Sequence, residues 1–356
     1  MRYPEIISFD SIVDHLSQFD CIIDVRSPAE FAEDHIPGAI NCPILDNEER
    51  IRVGTIYKQV GSFEAKRIGA AIIASNIGKH LATQFQDKGK NWRPLVYCWR
   101  GGNRSGAMAH IFAKIGWPVA QLEGGYKAYR QHVNQTIPEL IKGIEWKVLC
   151  GTTGCGKSRL LRTLAAMGEQ ILDLEELARH RGSVLGDIPA EKQPSQKMFE
   201  SRIWTVLRSV DKNKPVFVEA ESKKVGNLRV PDEMMTGIRE SACISVEMPI
   251  DVRVQLLMED YAHFVENPSI LNRQLDYLTH LHGKEKILQW KKQVLEGEIT
   301  RVVQSLLEEH YDPAYNKSIE RNFSQFKDAQ AIVQTGLTPN DFSRSAQQIL
   351  SKNTSA

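Results

Sequence analysis

Eleven residues, Val96–Gly106, read VYCWRGGNRSG. One thiol, Cys98, ends an apolar run and is followed within seven residues by two glycines, two arginines and a serine. Gly101 and Gly102 allow the backbone to turn its N–H groups inward as an anion nest. A helix starting after the loop adds the positive end of its dipole. Arg104 joins the amides as an anion cradle, and Arg100 and Trp99 are candidates for touching substrate. All of this favours thiolate over thiol at Cys98. A thiolate in such a cradle attacks electrophilic sulfur, selenium or phosphorus that arrives on an anion. The chemistry needs Cys98 to be reachable from solvent. The other five cysteines, Cys21, Cys42, Cys150, Cys155 and Cys243, read as buried small hydrophobes.

Some fifty residues on, Gly151–Ser158 reads GTTGCGKS, the Gly-x4-Gly-Lys-Ser pattern of a phosphate loop. Backbone N–H groups around Gly151, Thr152, Gly154 and Gly156 cradle a di- or triphosphate, and Lys157 neutralises its charge. Ser158 ligates Mg2+ if the ligand brings one. The strand KPVFVEA ends in Glu219, with Glu221 two residues beyond, and both are candidates for polarising a metal or water. No adenine-reading residues are recognisable, so any pyrophosphate ester fits the loop. Two further candidates for substrate contact are His180 and Arg181. No Cys/His cluster has zinc-ligand spacing, so no structural metal is expected.

Two elements must position these loops. CIIDV, PLVYC and VAQLEGG read as strands; SPAEFAEDH, RSGAMAHIFAKIG and YKAYRQHVNQTI read as helices, the second stopping at Gly116 with Pro118 beyond. Ile73, Ile77, Leu81 and Phe85 recur every four residues, an apolar helix stripe. Such alternation predicts a parallel sheet covered by helices. A soft boundary falls around Pro138 and Gly143. Beyond it WKVLC, QILDLEEL, KPVFVEA and ACISVEM supply the strands of a second α/β unit, with a helix in PSQKMFESRIWTVLRSV. From about Ile250 the pattern reads as helical throughout. The expected domains are 1–138, 145–250 and a helical region 251–356.

The chain has 356 residues and a net charge of +1, so no global field announces nucleic acid. Local basic candidates lie in the second half: Arg159, Arg162, Arg179, Lys223, Lys224, Lys291 and Lys292. No apolar run is long enough for a membrane span and no signal peptide is visible. Six cysteines then read as reduced thiols, and the expected location is the cytoplasm.

DVRSPAEFAEDHIPGAIN (Asp24–Asn41), VYCWRGGNRS and LEGGYKAYR (Leu122–Arg130) resemble, in order and spacing, the three signatures of the rhodanese sulfurtransferase fold. The resemblance implies that Cys98 carries a persulfide or its selenium analogue, with Asp24 and Arg26 holding the loop by ion pairs. One departure widens the loop: five residues separate Cys98 from Arg104, where many members of that fold have four. That is also the phosphatase spacing, although Tyr97 stands where such enzymes usually have His. A thiol phosphatase coupled to a nucleotide-binding domain is therefore a rival reading, and a nucleotide-gated persulfide carrier is another.

The whole chain resembles bacterial tRNA 2-selenouridine synthases. The insert Asn47–Ala70, and LDLEELARHRGSVLG, QPSQKMFE and VFVEAESKKVG, are similar to that family's own segments. The resemblance implies a rhodanese-like domain followed by a P-loop α/β domain with a helical C-terminal region. It implies replacement of sulfur by selenium in wobble 2-thiouridine of tRNA, with selenophosphate as donor and geranyl diphosphate alkylating the sulfur first. Both are substrates; no permanently bound cofactor is expected. The protein is expected to act as a monomer, away from membranes.

Overall fold

The computed structural model describes residues 3–183, 185–188 and 191–353. The chain folds as two compact units: Met1–Glu139 with Pro194–Thr205, and Leu140–Gln193 with Val206–Ala356. The helical region 251–356 thus belongs to the second unit. Pro194–Thr205 belongs to the first, although the order of the chain suggests otherwise.

The first unit is built on five strands: β1 (Glu5–Ile7), β2 (Cys21–Asp24), β3 (Ala39–Asn41), β4 (Pro94–Tyr97) and β5 (Ala120–Leu122). They pair in the order β1-β5-β4-β2-β3, all parallel. Strand β4 is fully buried, which suits its uninterrupted apolar run. Packed against the sheet, Phe85, Trp92, Phe112 and Trp117 form an aromatic cluster with Ile23, Val96 and Met108. The stripe Ile73, Ile77 and Leu81 lies on helix Ser62–Thr83 and packs into this core; Phe85 follows the helix end. That helix pairs antiparallel with helix Asn47–Gln59: Asn76 Nδ2 donates to Glu49 Oε2, and the position of Gly69 lies against Val53. Helix Asn103–Ile115 ends on Gly116 at φ +112°, as its sequence predicts.

Helix Gly125–Ile141 runs through Pro138 instead of stopping before it. Proline falls in the last turn, where it removes only one backbone hydrogen bond. Trp204 of the Pro194–Thr205 segment packs edge-on to Tyr129 and donates to Thr136 Oγ1 at 3.0 Å. Arg130 pairs with Glu200.

The second unit has β6 (Trp146–Cys150), β7 (Gln170–Leu172), β8 (Val216–Glu219), a short hairpin β9 (Lys224–Val225) and β10 (Leu228–Arg229), β11 (Ala242–Glu247) and β12 (Gln330–Val333). The main sheet is parallel, in the order β12-β11-β6-β8-β7. Strand β12 corrects the expectation of an all-helical tail. QAIV is too short to show a period, and only pairing with β11 makes it a strand. Its Ile332 completes a core with Leu149, Leu161, Phe217, Ile244 and Phe342. Helices between Ile250 and Asn322 form a separate apolar cluster around Trp290, Leu275 and Val302.

Candidate functional site

In each unit a glycine-rich loop leaves the carboxyl end of a strand flanked on both sides by other strands and enters a helix, where parallel sheets place their ligands. In the first unit the loop runs from Cys98 to Gly102, between β4 and helix Asn103–Ile115. Gly101 has φ +64°, and a Cβ there would fall 2.3 Å from Leu122 O. Gly125, at φ +56°, is equally confined by Cys98 O. Only glycine allows these two stretches of backbone to touch. The contact is fixed by Tyr126 N donating to Cys98 O and Lys127 N to Trp99 O, at 2.8 and 3.0 Å. The amides of Trp99 to Arg104 donate to no acceptor among the described residues. They remain available to an anion.

Cys98 is only 3% exposed. The reading from sequence requires a reachable thiol, and the structure corrects its location: the sulfur is part of the buried floor beneath the loop. A donor must enter the loop itself. Ser105 Oγ donates to Cys98 Sγ at 3.2 Å. Gln121 Nε2 donates to Ser105 Oγ at 3.1 Å and to Gly101 O at 2.6 Å, tying β5 to the loop. Sequence reasoning missed both residues. The signal was a lone amide inside the apolar strand VAQL and a serine directly after Arg104.

Arg104 is placed differently from expectation. Its guanidinium is held by Glu30, at 2.8 and 3.2 Å, so it contributes no uncompensated charge to the cradle. This removes the arginine a phosphatase would aim at its phosphoryl group. Asp24 and Arg26 form a buried bidentate pair, with contacts of 2.6–3.0 Å. Arg26 also donates to Asp34 O and lies 3.9 Å from the centroid of the Tyr126 ring. Trp99 packs on Tyr126 at 5.2 Å between centroids, as an aromatic cover on the loop. Arg100 is exposed and has no partner among the described residues.

In the second unit β6 enters the loop Gly151–Gly156 and then helix Lys157–Ala166. Gly154 and Gly156 have φ +79° and +82°. A side chain at Gly151 would collide with Cys155 Sγ and Val246 O, both 2.5 Å away. Lys157 Nζ donates to Gly151 O at 2.6 Å. Burial pulls the Lys157 pKa down, but nearby Cys155, Glu175 and Glu221 outweigh it and leave it raised. Ser158 Oγ donates to Glu175 Oε2 at 2.8 Å, and Glu219 Oε1 accepts from Glu175 N at 2.9 Å. Burial, then Asp173 and the neighbouring glutamates, push Glu219 well up. Burial and Glu175 push Glu221 up to about 8. Glu219 Oε2 is buried with no hydrogen-bond partner among the described residues.

The helical region supplies three residues that sequence reasoning missed. Arg253 donates twice to Thr153 O, at 2.8 and 2.9 Å, and is bound bidentately by Asp312. Tyr315 Oη accepts from Gly151 N at 2.6 Å. No local pattern marks them, because their targets lie 59 to 164 residues away.

Beside this loop opens a cleft with Thr153 in its wall. Leu257, Met258, Tyr261, Phe264 and Tyr311 are among the side chains that line it, and the lining is almost wholly apolar. Arg181 stacks over Tyr261 at 4.5 Å. His180 corrects its expected role: it is 5% exposed, accepts from Gly182 N, and faces Asp187. Burial lowers its pKa against the pull of Asp187. Most of the basic candidates are also engaged: Arg159 with Glu259 and Asp260, Arg179 with Glu191, Lys223 with Asp232, Lys291 with Asp276, and Lys292 with Glu296.

A thiol under a ring of amides on one parallel sheet, and a phosphate loop on a second, define a rhodanese-like domain followed by a P-loop domain. Residues 8–132 match the rhodanese-like domain family, and residues 144–297 match the family described as the tRNA 2-selenouridine synthase AAA domain. The tRNA 2-selenouridine synthase of Nitrosomonas europaea is 37% identical over 265 residues, 73% of this chain and 68% of the relative. Those of Alcanivorax borkumensis and Sulfurovum are 31% and 30% identical, covering 88% and 90% of this chain and 94% of each relative. The chain belongs to the tRNA 2-selenouridine synthase family. No helix among its described residues is long and apolar enough to cross a membrane.

Proposed function

We propose that this protein replaces the sulfur of wobble 2-thiouridine in tRNA by selenium, taking selenium from selenophosphate after alkylating the sulfur with geranyl diphosphate. The observation that carries the two-substrate reading is the apolar cleft beside the phosphate loop, which shares Thr153 with it. A nucleotide would bring a polar base to that wall, whereas a prenyl diphosphate brings a phosphate head and an apolar tail.

Lys157 and the loop amides then hold the diphosphate leaving group while the tail lies against Leu257 and Tyr261. The thiouridine sulfur attacks the first carbon of the tail, the C–O bond breaks, and diphosphate departs. If Mg2+ accompanies the diphosphate, Ser158 and Glu175 would offer it oxygen ligands alongside the phosphate oxygens, as suits that ion. Bound Mg2+ would neutralise charge on the departing diphosphate.

At Cys98 the thiolate attacks phosphorus, the Se–P bond breaks with its electron pair leaving on selenium as selenide, and the phosphoryl group on sulfur is met by the amides of Trp99 to Arg104 until water cleaves the S–P bond and releases phosphate. Ser105 donates to the sulfur while it is anionic, and Gln121 orients Ser105. The selenide displaces the alkylated sulfur at C2, which leaves as geranyl thiol. Action as a monomer in the cytoplasm belongs to the same reading.

The test is nucleoside mass spectrometry of thiolated tRNA incubated with the purified protein. Geranyl diphosphate alone should give S-geranyl-2-thiouridine, and added selenophosphate should give 2-selenouridine. Alkylation by a nucleotide-derived group instead, or no alkylation at all, rejects this use of the phosphate loop.

A further inference from the structure

The helical hairpin Asn47–Gln59 and Ser62–Thr83 is unused by either loop. Between Asn47 and Thr83 it has six lysines and arginines against three glutamates, a net of +3. The whole chain is +1, so everything else sums to −2. The hairpin is thus a basic segment of a nearly neutral chain. Arg52, Lys58 and Lys66 are exposed and have no partner among the described residues, unlike most of the basic residues of the second unit.

The apex of the hairpin is apolar as well as basic. Tyr57, Val60 and Phe63 are 59%, 69% and 74% exposed, and Phe63 is the most exposed large apolar side chain among the described residues. A two-residue connection, Val60 and Gly61, joins the helices there. Phe63 and Lys66 are three apart, hence neighbours on one helical face. Exposed rings interleaved with unpaired cations match unstacked bases on a phosphate backbone. A protein partner would more often find charged residues excluded from the centre of such a patch.

The base of the hairpin connects to the thiol loop. Arg50 pairs with Glu30 at 3.8 Å, and Glu30 binds Arg104 on the first turn of the helix that follows Cys98. His80 hydrogen-bonds Pro43 O and Asn76 Nδ2 donates to Ile44 O, fastening the second helix to the segment after β3.

We infer that this hairpin is the RNA-docking surface of the first unit: Lys58, Lys66 and Arg52 contact phosphates, and Tyr57 and Phe63 stack on unpaired bases of a tRNA loop. The inference rests on the reading of tRNA as substrate and adds where it is gripped.

Two double variants of the full chain test it, Tyr57→Ala with Phe63→Ala and Lys58→Ala with Lys66→Ala. Affinity for 2-thiouridine tRNA is read by fluorescence anisotropy across a salt series. The aromatic pair should weaken binding about tenfold or more. The lysine pair should lower the slope of log K against log salt by about 1.5. Circular dichroism and the alkylation rate of Cys98 should match the parent. Affinity and salt slope unchanged in both variants overturn the inference while leaving the proposed function intact. Unchanged tRNA affinity with lost stimulation by a selenium-donating protein overturns it in favour of a protein-docking surface. A parent chain that binds no tRNA overturns both readings.

Discussion

The two glycine-rich loops use one backbone device for opposite ends. Both follow a buried parallel strand, both need glycine at positive φ, and both aim amides into a helix entrance. In the first, two of the arginines near the thiol are matched to carboxylates, Arg26 to Asp24 and Arg104 to Glu30, while Arg100 is exposed and has no partner among the described residues. What remains for a ligand is amides, one hydroxyl, one sulfur and the exposed Arg100. In the second, Lys157 donates to Gly151 O and lies among glutamates whose pKa values are raised. The thiol loop is therefore suited to covalent capture, with charge supplied by the backbone and by Arg100. The phosphate loop is suited to holding a highly charged group without reacting with it, because lysine and carboxylic acids can adjust their protons as that group arrives and leaves.

The sharpest way to break this contrast is to remove each loop's central side chain. Cys98→Ala should abolish selenium incorporation and leave S-geranylation at parent rates, both read by nucleoside mass spectrometry; loss of both products would mean the loops do not act separately. Next in size, Lys157→Ala should slow geranylation about 100-fold or more. The same variant should convert pre-geranylated tRNA to the selenium product normally.

Arg253→Met should destabilise the second unit by about 3 kcal/mol, since it leaves Asp312 and Thr153 O without their partner. Chemical denaturation should show the loss in one of two transitions, with the first unit unchanged. A loss shared equally by both transitions would contradict the assignment of the tail to the second unit.

The smallest effect is on pH. Glu221 titrates near 8 in the folded chain against an ordinary 4.5, so the folded state holds an extra proton between those values. Stability of the second unit should fall as pH rises through that window and level off above 8. Glu221→Gln should flatten the slope, whereas an unchanged slope would place the titrating proton elsewhere. The thiol loop offers no such carboxylate beside Cys98.

Both loops were legible because their parts are contiguous. A strand, a few glycines and a helix start lie within about a dozen residues, and the need for glycine comes from local backbone sterics. The ion pair of Asp24 and Arg26 was legible for the same reason, being two residues apart. Arg104 was misplaced because its partner, Glu30, is 74 residues away. His180 reads as basic and polar from its neighbours, yet the fold turns it inward. Strand β12 and the Tyr315 hydroxyl carry no local signature.

The amino-acid order alone determined that this chain carries a thiol and a phosphate loop, each at the end of a parallel strand, because steric limits on φ and hydrophobic periodicity act over a few residues. Tertiary structure decided which charges are neutralised, how deep the thiol lies, what holds Thr153, and that an apolar cleft opens beside it. Those outcomes depend on pairings across 59 to 164 residues, where burial and geometry, rather than spacing along the chain, choose the partner.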